Sequence, residues 1–351
     1  MKGGDGMHIP VRSLVIGKAE MNKLEMDVWK DRYVPAVLRT NGQSTPVLVR
    51  YRGSHTREYP KRSFEIVRKG QTFHYNAEFD DPSMIRNALS FWFLELLGLP
   101  SPRTKHVQLV RNGKPLGLYL EIEAVEPGFF RRRGIGARSL FYAVNSHADF
   151  SLRSPASQLS GYEYRFGGSG EKKRLASFIR GLHRVRGTRL AAYLNRNLDI
   201  DNYLKWLTGA VLTGNYDGFE QNYALYRHRA SGKWRIIPWD YEGTWGRNCY
   251  GKLVESDLVD VKGYNELTKK VLQHRPYRLR YKNMLRKALN GAFNEKKILA
   301  KATDMHRSIS PYVRKDEYFQ WPYDEFLGEL DVIRNYIRER RAIVASALKQ
   351  L

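Results

Sequence analysis

Residues 214–243 read "GNYDGFEQNYALYRHRASGKWRIIPWDYEG" and carry the most specific pattern in the sequence. Asp217 follows a predicted helix, and Asn222 comes five residues after that aspartate. Two apolar runs then flank a Ser-Gly turn and predict a β-hairpin, and Asp240 comes shortly after the second run. The unit is therefore a helix, a loop aspartate, a loop asparagine, a hairpin and a second aspartate.

This order of residues fits phosphoryl transfer. The reaction needs a carboxylate that orients the attacking hydroxyl, and oxygen ligands that hold a divalent metal ion on the phosphates. Protein kinases carry a catalytic aspartate, a metal-binding asparagine and then another aspartate, which binds metal, in this order. We therefore predict that Asp217 is catalytic and that Asn222 and Asp240 are metal ligands. Taken singly, each of the three also fits a structural role, as a turn residue or a hydrogen-bonded strand end.

The composition predicts a globular chain with two lobes or domains. A length of 351 residues is long for one compact unit, and 42% hydrophobic residues suffice for a sizeable core. The single cysteine, Cys249, excludes an intramolecular disulfide and a cysteine-rich zinc site. No apolar stretch of the signal-peptide or membrane-spanning kind is visible, which predicts cytoplasmic synthesis and no membrane partner.

The formal net charge of +24 raises the question of a nucleic-acid partner. The basic residues are scattered, however. Their densest clusters are "RRRGIGAR" at Arg131–Arg138 and "EKKR" at Glu171–Arg174, and neither belongs to a zinc-finger, basic-zipper or RNA-recognition pattern. We therefore do not expect nucleic acid to be the partner.

The first third of the chain alternates strands with turn signals. Apolar runs flank Asn41-Gly42 and Asn112-Gly113, so each pair of runs predicts a hairpin. The run "KRSFEIV" predicts a third strand between the hairpins. A helix follows in "DDPSMIRNALSFWFLELLGLP", with Asp81 as its N-cap and Pro82 at its first position. The predicted order is therefore two strands, a third strand, one helix and two more strands. This is the order found in the small lobe of a protein kinase.

Helical patterns dominate after Glu126, including the long C-terminal stretch that begins at Tyr323. The predicted fold class is α+β, a two-lobed atypical protein-kinase-like fold. Its small lobe, residues 1–125, is a mostly antiparallel sheet plus one helix. Its large lobe, residues 126–351, is mostly helical and contains the catalytic loop and the metal-binding hairpin. The Ser- and Gly-rich stretch at 151–170 is predicted to be a surface insertion.

The small lobe should supply cations for the phosphates of a nucleotide. In "RGSHTREYPKRSFEI", Arg57 and Lys61 share one strand parity, opposite to that of Phe64, so both could face the phosphates if the strand is regular. Pro60 argues against that regularity. Kinase lysines are usually held by a helix glutamate, and the sequence leaves the partner of Lys61 open between Glu95 and another group.

Glu123, at the end of the fifth predicted strand, stands where a kinase hinge contacts adenine. Other kinase patterns are missing: no G-x-G-x-x-G occupies the first turn, no Walker A sequence is present, and "GIG" at Gly134–Gly136 comes too late in the chain. An ordinary eukaryotic-type kinase is excluded by these motifs, whereas an atypical kinase is not.

Five blocks of the sequence resemble successive blocks of the spore coat protein H (CotH) kinase family. They are "RGSHTREYPKRSF", "DPSMIRNALSFWFLELLGLPSPR", "GLYLEIEAVEPGFFRRR", "GNYDGFEQNYALYR" and "GKWRIIPWDYEGTWG", and they span Arg52 to Gly246. The resemblance implies an atypical protein kinase that uses ATP with Mg or Mn. It also implies that Asp217 is the catalytic aspartate and that Asp240 is the metal ligand.

The same resemblance implies that Arg57 and Lys61 bind ATP near its phosphates. Asn222 fits as the second metal ligand by its spacing, and Tyr142 and Trp239 are candidates for the wall of the ATP site. Glu123 completes the predicted ATP-binding set.

The predicted function is transfer of the ATP γ-phosphate to Ser or Thr hydroxyls of proteins. Ser-rich spore coat proteins as substrates, and the spore coat as the location, rest on the resemblance alone. Two alternatives stay open on the sequence: transfer of AMP by the same scaffold, and a non-catalytic structural role in the coat. The oligomeric state is not predicted.

Overall fold

The computed structural model describes residues 8–351, which divide into two compact units. Unit 1 contains residues 8–88, Pro102–Phe129 and Ala300–Leu330. Unit 2 contains Leu89–Ser101, Phe130–Leu299 and Asp331–Leu351. The lobe boundary at residues 125/126 stays a prediction, and the compact units differ from it because each unit includes a segment from the other side of that boundary.

The secondary structure confirms the predicted α+β class. The helices of the described chain are α1 (Lys18–Met26), α2 (Arg86–Leu96), α3 (Pro127–Arg132), α4 (Glu171–Arg184), α5 (Thr188–Asn197), α6 (Ile200–Thr213), α7 (Glu266–Leu272), α8 (Arg275–Asn290), α9 (Glu295–Val313) and α10 (Tyr323–Ala347). Its strands are β1 (Val11–Val15), β2 (Val34–Thr40), β3 (Gln43–Arg52), β4 (Ser63–Arg68), β5 (Gln71–Asn76), β6 (Thr104–Arg111), β7 (Lys114–Glu123), β8 (Ala137–Ala143), β9 (Tyr162–Phe166), β10 (Tyr223–His228) and β11 (Trp234–Pro238).

Unit 1 is built on a closed barrel with the strand order β1-β2-β3-β4-β5-β7-β6. Neighbouring strands are antiparallel except β1 and β6, which pair in parallel and close the barrel. Both predicted hairpins, β2–β3 and β6–β7, are present. Strands β1 and β5 were not predicted, and neither was the closure; helix α1 corrects the predicted small lobe, which had only one helix. A closed barrel has no exposed sheet edge, which protects its strands from pairing with other chains.

The predicted third strand is present as β4, but a regular strand that reaches back to Arg57, against which Pro60 argued, does not form. Residues His55–Glu58 form a short 3-10 helix, and β4 begins only at Ser63. The Arg57 guanidinium explains the turn, because its Nε donates to the carbonyl oxygen of Gly53 at 2.7 Å, four residues earlier. Strand parity therefore gives no information about where Arg57 and Lys61 point.

The helix after the third predicted strand begins later than predicted. α2 starts at Arg86, not at Pro82. The Asp81 carboxylate accepts hydrogen bonds from the backbone amides of Ser83 at 2.9 Å and Arg86 at 2.9 Å. It therefore stabilises both a tight turn and the start of α2. A sequence pattern cannot distinguish this arrangement from a simple N-cap.

Unit 2 contains an antiparallel sheet in the order β11-β10-β8-β9, together with helices. The predicted hairpin is present as β10 and β11, paired from Tyr223↔Pro238 to Arg227↔Trp234. The predicted surface insertion at 151–170 is wrong in part, because it contributes β9, which pairs with β8.

The helix that precedes the catalytic loop is buried and has a defined beginning and end. The Asp199 side chain accepts from the backbone amide of Asn202 at 3.1 Å and caps α6 at its N-terminus. Gly214 ends the helix in the left-handed conformation (φ 70°), where the Tyr336 hydroxyl would lie 2.5 Å from a Cβ atom. The glycine therefore both permits the turn and leaves room for Tyr336. Within residues 8–351 we find no helix whose length and apolarity would allow it to cross a membrane.

Candidate functional site

The loop after α6 holds Asp217 in a short 3-10 helix, Tyr216–Gly218. Its backbone is fixed from both sides: the Tyr264 hydroxyl donates to the carbonyl oxygen of Tyr216 at 2.7 Å, and the Asn265 amide donates to that of Phe219 at 2.8 Å. The position of Asp217 is therefore set by its neighbours in the fold rather than by a mobile loop.

Two side-chain amides hold the Asp217 carboxylate. Gln221 Nε2 donates to Oδ1 and Asn222 Nδ2 donates to Oδ2, each at 2.7 Å. Burial raises the pKa of Asp217, and these two hydrogen bonds oppose that rise. The structure thus brings together Asp217 and Asn222, two of the residues singled out by their spacing, while their roles stay predictions.

Asp240 follows β11 by two residues and is positioned by the aromatic residues on either side of it. The Trp239 ring stacks on Tyr142, with centroids 5.3 Å apart and planes at 21°. The Tyr241 ring is fully buried and lies 6.0 Å from that of Phe91. Both predicted wall residues, Tyr142 and Trp239, therefore contact each other next to a predicted metal ligand.

The pKa of the Cys249 thiol depends on the carboxylates of this region. Burial raises its pKa to about 11, and the negative charges of Asp217, Glu242 and Asp240 contribute to the rise. All three carboxylates are therefore close enough to Cys249 to act on its thiol. The Tyr216 hydroxyl lies 2.9 Å from the same sulfur atom.

Asn222 and Asp240 share an unusual backbone conformation. Their φ angles are 58° and 55°, in the left-handed region that residues other than glycine rarely adopt. Such conformations cost of order 1–3 kcal/mol each and cluster at active sites, where the surrounding structure imposes them. Asparagine and aspartate tolerate this conformation better than most residues. The two predicted metal ligands are therefore also the strained residues at the two ends of the hairpin.

In unit 1, Lys61 lies in a buried ion pair. Its ammonium donates to Asp316 Oδ2 at 2.7 Å and to the Leu118 carbonyl oxygen at 2.6 Å, and it lies 5.0 Å from the centre of the Tyr119 ring. Asp316 is therefore the partner that the sequence left open. Glu95 is exposed, and its carboxylate lies 4.0 Å from the guanidinium of Arg133.

Arg57 is also bound within unit 1. Its guanidinium donates to the Asp31 carboxylate at 2.6 Å and to the carbonyl oxygen of Trp29 at 2.8 Å. Glu123 is buried at the end of β7, where Oε2 accepts from the backbone amide of Arg103 at 3.2 Å. These contacts of Arg57, Lys61 and Glu123 are structural ones, and ATP binding by the three residues stays a prediction.

The residues of the loop and hairpin fit a magnesium or manganese ion. Asp240 offers a carboxylate, and Asn222 offers an amide oxygen because its nitrogen already donates to Asp217. These are the hard oxygen ligands that Mg²⁺ prefers. Among residues 8–351 no group of three or more His, Cys, Asp or Glu is arranged to hold a metal ion.

Sequence reasoning missed three residues of these clusters. Gln221 precedes Asn222 directly, but no motif of the sequence distinguishes it from other loop amides. Cys249 was considered only as a disulfide or zinc candidate. Asp316 lies 255 residues from Lys61 and gave no signal at all.

Comparison with known proteins gives consistent relatives over nearly the whole chain. Residues 49–344 match the family described as "CotH kinase protein". "Inner spore coat protein H" of Bacillus subtilis (strain 168) is 36% identical over 346 residues, covering 95% of this chain and 96% of that protein. "Inner spore coat protein H-like protein" of the same organism is 25% identical over 313 residues, covering 89% and 92%.

Among solved structures, the Helicobacter pylori proinflammatory kinase CtkA covers 82% of this chain and 94% of its own, with 10% identity and a TM-score of 0.34. This likeness is too distant to carry an argument.

Proposed function

The chain belongs to the CotH kinase protein family, and from that premise we propose that it is an atypical protein kinase that transfers the γ-phosphate of ATP to Ser or Thr hydroxyls of proteins. One observation carries the proposal beyond the family name. The Asp217 carboxylate is held by two amides in a fixed loop, and Asp240 lies after the adjoining hairpin, from where its charge, like that of Asp217, acts on the Cys249 thiol. These are the groups that phosphoryl transfer requires.

In this proposal Asp217 accepts a hydrogen bond from the substrate hydroxyl and orients it. The hydroxyl oxygen forms a bond to the γ-phosphorus while the bond to the bridging oxygen of ADP breaks, and the hydroxyl proton passes to Asp217. Gln221 and Asn222 hold the carboxylate in one orientation, which reduces the entropy lost on reaching the reactive geometry. The raised pKa of Asp217 makes it a better proton acceptor than an ordinary surface aspartate.

Asp240 and Asn222 would hold the divalent ion. When bound, that ion neutralises the charge of the phosphates. The left-handed backbone conformation at both residues supports this assignment, because such conformations cluster at active sites.

We also propose that units 1 and 2 correspond to the small and large lobes of a kinase-like fold. The hairpins β2–β3 and β6–β7, with β4 and α2 between them in the chain, support the first assignment. The succession of α6, the Asp217 loop and the β10–β11 hairpin supports the second.

The spore coat is the proposed location, and Ser-rich coat proteins are the proposed substrates. The support is the name of the relative that shares 36% identity over almost the full length of both chains.

Incubation of the purified chain with γ-labelled ATP, magnesium or manganese, and a Ser-rich protein tests the proposal. Asp217→Asn should reduce transfer at least ~10²-fold, the lower end of what a positioned acid–base group contributes. The matched control is Asp257→Asn, which removes the same charge from an exposed position of unit 2. Absence of transfer from the unaltered chain with either metal overturns the proposal. A product whose intact mass has increased by an adenylyl rather than a phosphoryl group replaces it with AMP transfer.

A further inference from the structure

One concave surface of unit 2 contains none of the residues of the Asp217 site. It is a groove of about 600 Å³ formed by α4, α5 and part of the β10–β11 hairpin. No Asp or Glu lines the groove. Five of its lining residues are cationic: Lys173, Arg174, Arg180, Arg184 and Arg227. We call this surface the α4 groove. It includes most of the basic cluster at Glu171–Arg174 that the proposed kinase activity does not use.

The cations follow helical periodicity. Lys173, Ser177, Arg180 and Arg184 lie at offsets of four, seven and eleven residues, which places them along one face of α4. Lys173, Ser177 and Arg184 are exposed, and Arg180 is half-buried. At a rise of 1.5 Å per residue this row is about 16 Å long, the length of about five residues of extended polypeptide.

Most of this charge is not neutralised by the protein. Glu171 is the nearest acidic residue of α4, and it is bound by both the Nε of Arg227 at 2.7 Å and the hydroxyl of Ser139 at 2.8 Å. Arg174 lies 3.7 Å from the same carboxylate. Within residues 8–351, the side chains of Lys173, Arg180 and Arg184 form no ion pair, so the row keeps three positive charges for a ligand.

The walls of the groove are rigid. Gly181 allows α5 to approach, because the Tyr193 hydroxyl lies 2.0 Å from where its Cβ atom would stand. That hydroxyl donates to the carbonyl oxygen of Phe178 at 3.0 Å, and the Tyr193 ring stacks on that of Phe178 at 13°. Because the two helices are already packed together, their backbones lose little conformational entropy when a ligand binds.

We propose that the α4 groove binds serine-phosphorylated segments of polypeptides, so that the chain retains substrates that already carry phosphates. Each phosphoserine adds a charge of about −1.5 to −2 and three acceptor oxygens, which Arg and Lys side chains bind well. The inference deepens the proposed function and rests on it, because that activity would make such segments.

Phosphorylated polypeptide fits the groove better than nucleic acid does. Proteins that bind single-stranded nucleic acids offer exposed aromatic rings on which bases stack. Here Phe178 and Trp234 are buried, and the Tyr193 ring is used against Phe178. The lining therefore favours contacts to phosphates rather than to bases.

Fluorescence anisotropy with a synthetic ten-residue peptide tests the inference. The probe carries phosphoserine at alternate positions, and its unphosphorylated counterpart is the reference. Full-length chain should bind the phosphorylated peptide at least about tenfold more tightly, because charge-assisted hydrogen bonds form only with the phosphates. Higher salt should weaken this binding because it screens exposed charges. Equal affinity for both peptides overturns the inference.

Two triple variants with the same change of charge locate the site. Lys173→Glu/Arg180→Glu/Arg184→Glu reverses the row and should weaken binding at least about tenfold. Lys205→Glu/Lys287→Glu/Lys297→Glu reverses three lysines around a separate groove of about 480 Å³ in unit 2 and should change affinity less than about twofold. Equal loss in both variants shows attraction by net charge alone and overturns the inference. If the first variant does not fold, the corresponding glutamine triple variants replace both, with the same expectations.

Two further arms identify the ligand class. Inorganic phosphate at the peptide's phosphate concentration should not displace the peptide. The peptide binds through several phosphates on one chain, whereas each inorganic phosphate ion binds singly. A single-stranded oligonucleotide of equal charge should bind more weakly; tighter binding that is lost in the first variant assigns the groove to nucleic acid and overturns the inference. No ATP is added, so a chain that transfers phosphate without binding the peptide refutes only the inference. A chain that binds the peptide without transferring phosphate refutes only the proposed function.

Discussion

The ammonium group of Lys61 binds the carboxylate of Asp316 at 2.7 Å, although 255 residues separate them in the chain. Both side chains are almost completely buried. Asp316 also accepts a hydrogen bond from the backbone amide of Leu118 at 2.8 Å. Gly117 makes this approach possible, because a Cβ atom there would lie 2.2 Å from the carboxylate oxygens. The pair therefore fixes the segment between α9 and α10 to strand β7 within unit 1.

Lys61→Met should destabilise the chain strongly. Removal of one partner leaves the Asp316 carboxylate buried without its counter-charge, which costs about 3–5 kcal/mol in comparable pairs. Urea unfolding of the variant measures the loss. Arg62→Met is the control, since Arg62 pairs with the more exposed Glu25 and should cost about 1 kcal/mol or less.

A second substitution separates this structural role from ATP binding. Lys61→Met/Asp316→Asn removes the buried charge while it keeps an acceptor for Leu118, so it should recover much of the lost stability. If the double variant is stable and binds ATP normally, the predicted ATP-binding role of Lys61 is wrong. If Lys61→Met and Arg62→Met destabilise equally, the ion pair does not form in solution.

These residues show where sequence patterns fail and where they succeed. The β10–β11 hairpin is present as predicted because turn chemistry and alternation are local signals, whereas the roles of Asp217, Asn222 and Asp240 stay predictions. Closure of the barrel by β1 and β6 and the pairing of Lys61 with Asp316 are long-range contacts. No local pattern specifies which distant segment completes them.

Gln221→Met should shift the pH dependence of phosphoryl transfer. The proposed base must be ionised, so activity falls as the pH decreases through the pKa of Asp217. Burial raises that pKa and the Gln221 hydrogen bond lowers it. Loss of the bond therefore raises the pKa further, and the acidic limb of the kcat/KM profile should move to higher pH.

Gln43→Met is the control for this profile, because it makes the same chemical change at the exposed first residue of β3 in unit 1. Its acidic limb should coincide with that of the unaltered chain. A shift to lower pH in Gln221→Met would show that this amide does not stabilise the ionised carboxylate.

Cys249 should react slowly with iodoacetamide in the folded chain. With a pKa of about 11, its thiolate fraction at pH 8 is about 10⁻³. Asp217→Asn and Asp240→Asn each remove a negative charge that raises this pKa, so both variants should react faster in the absence of metal. Mass spectrometry of the alkylated protein measures the rates. Asp257→Asn, whose carboxylate is not among the charges that act on Cys249, should react at the original rate.

The alkylation rates test the site geometry without reference to catalysis. Unchanged rates in both variants would place Asp217 and Asp240 away from Cys249. A faster rate in only one variant would place that aspartate near Cys249 and the other away from it.

The two aspartates should separate by role when ATP and magnesium are added. A ligand that binds only the folded state stabilises it by about 2.7 kcal/mol at a hundredfold excess over its dissociation constant, so the melting temperature of the unaltered chain should rise. Asp240→Asn should lose most of the metal-dependent part of this rise, because a neutral amide is a poorer ligand for a hard dication. Asp217→Asn should keep the rise or enlarge it, since removal of a carboxylate near the phosphates relieves repulsion. Differential scanning fluorimetry with ATP, with magnesium and with both measures each contribution. Loss of the shift in the Asp217 variant together with its retention in the Asp240 variant would exchange the two roles, and an unchanged shift in both would move the nucleotide site away from this loop and hairpin.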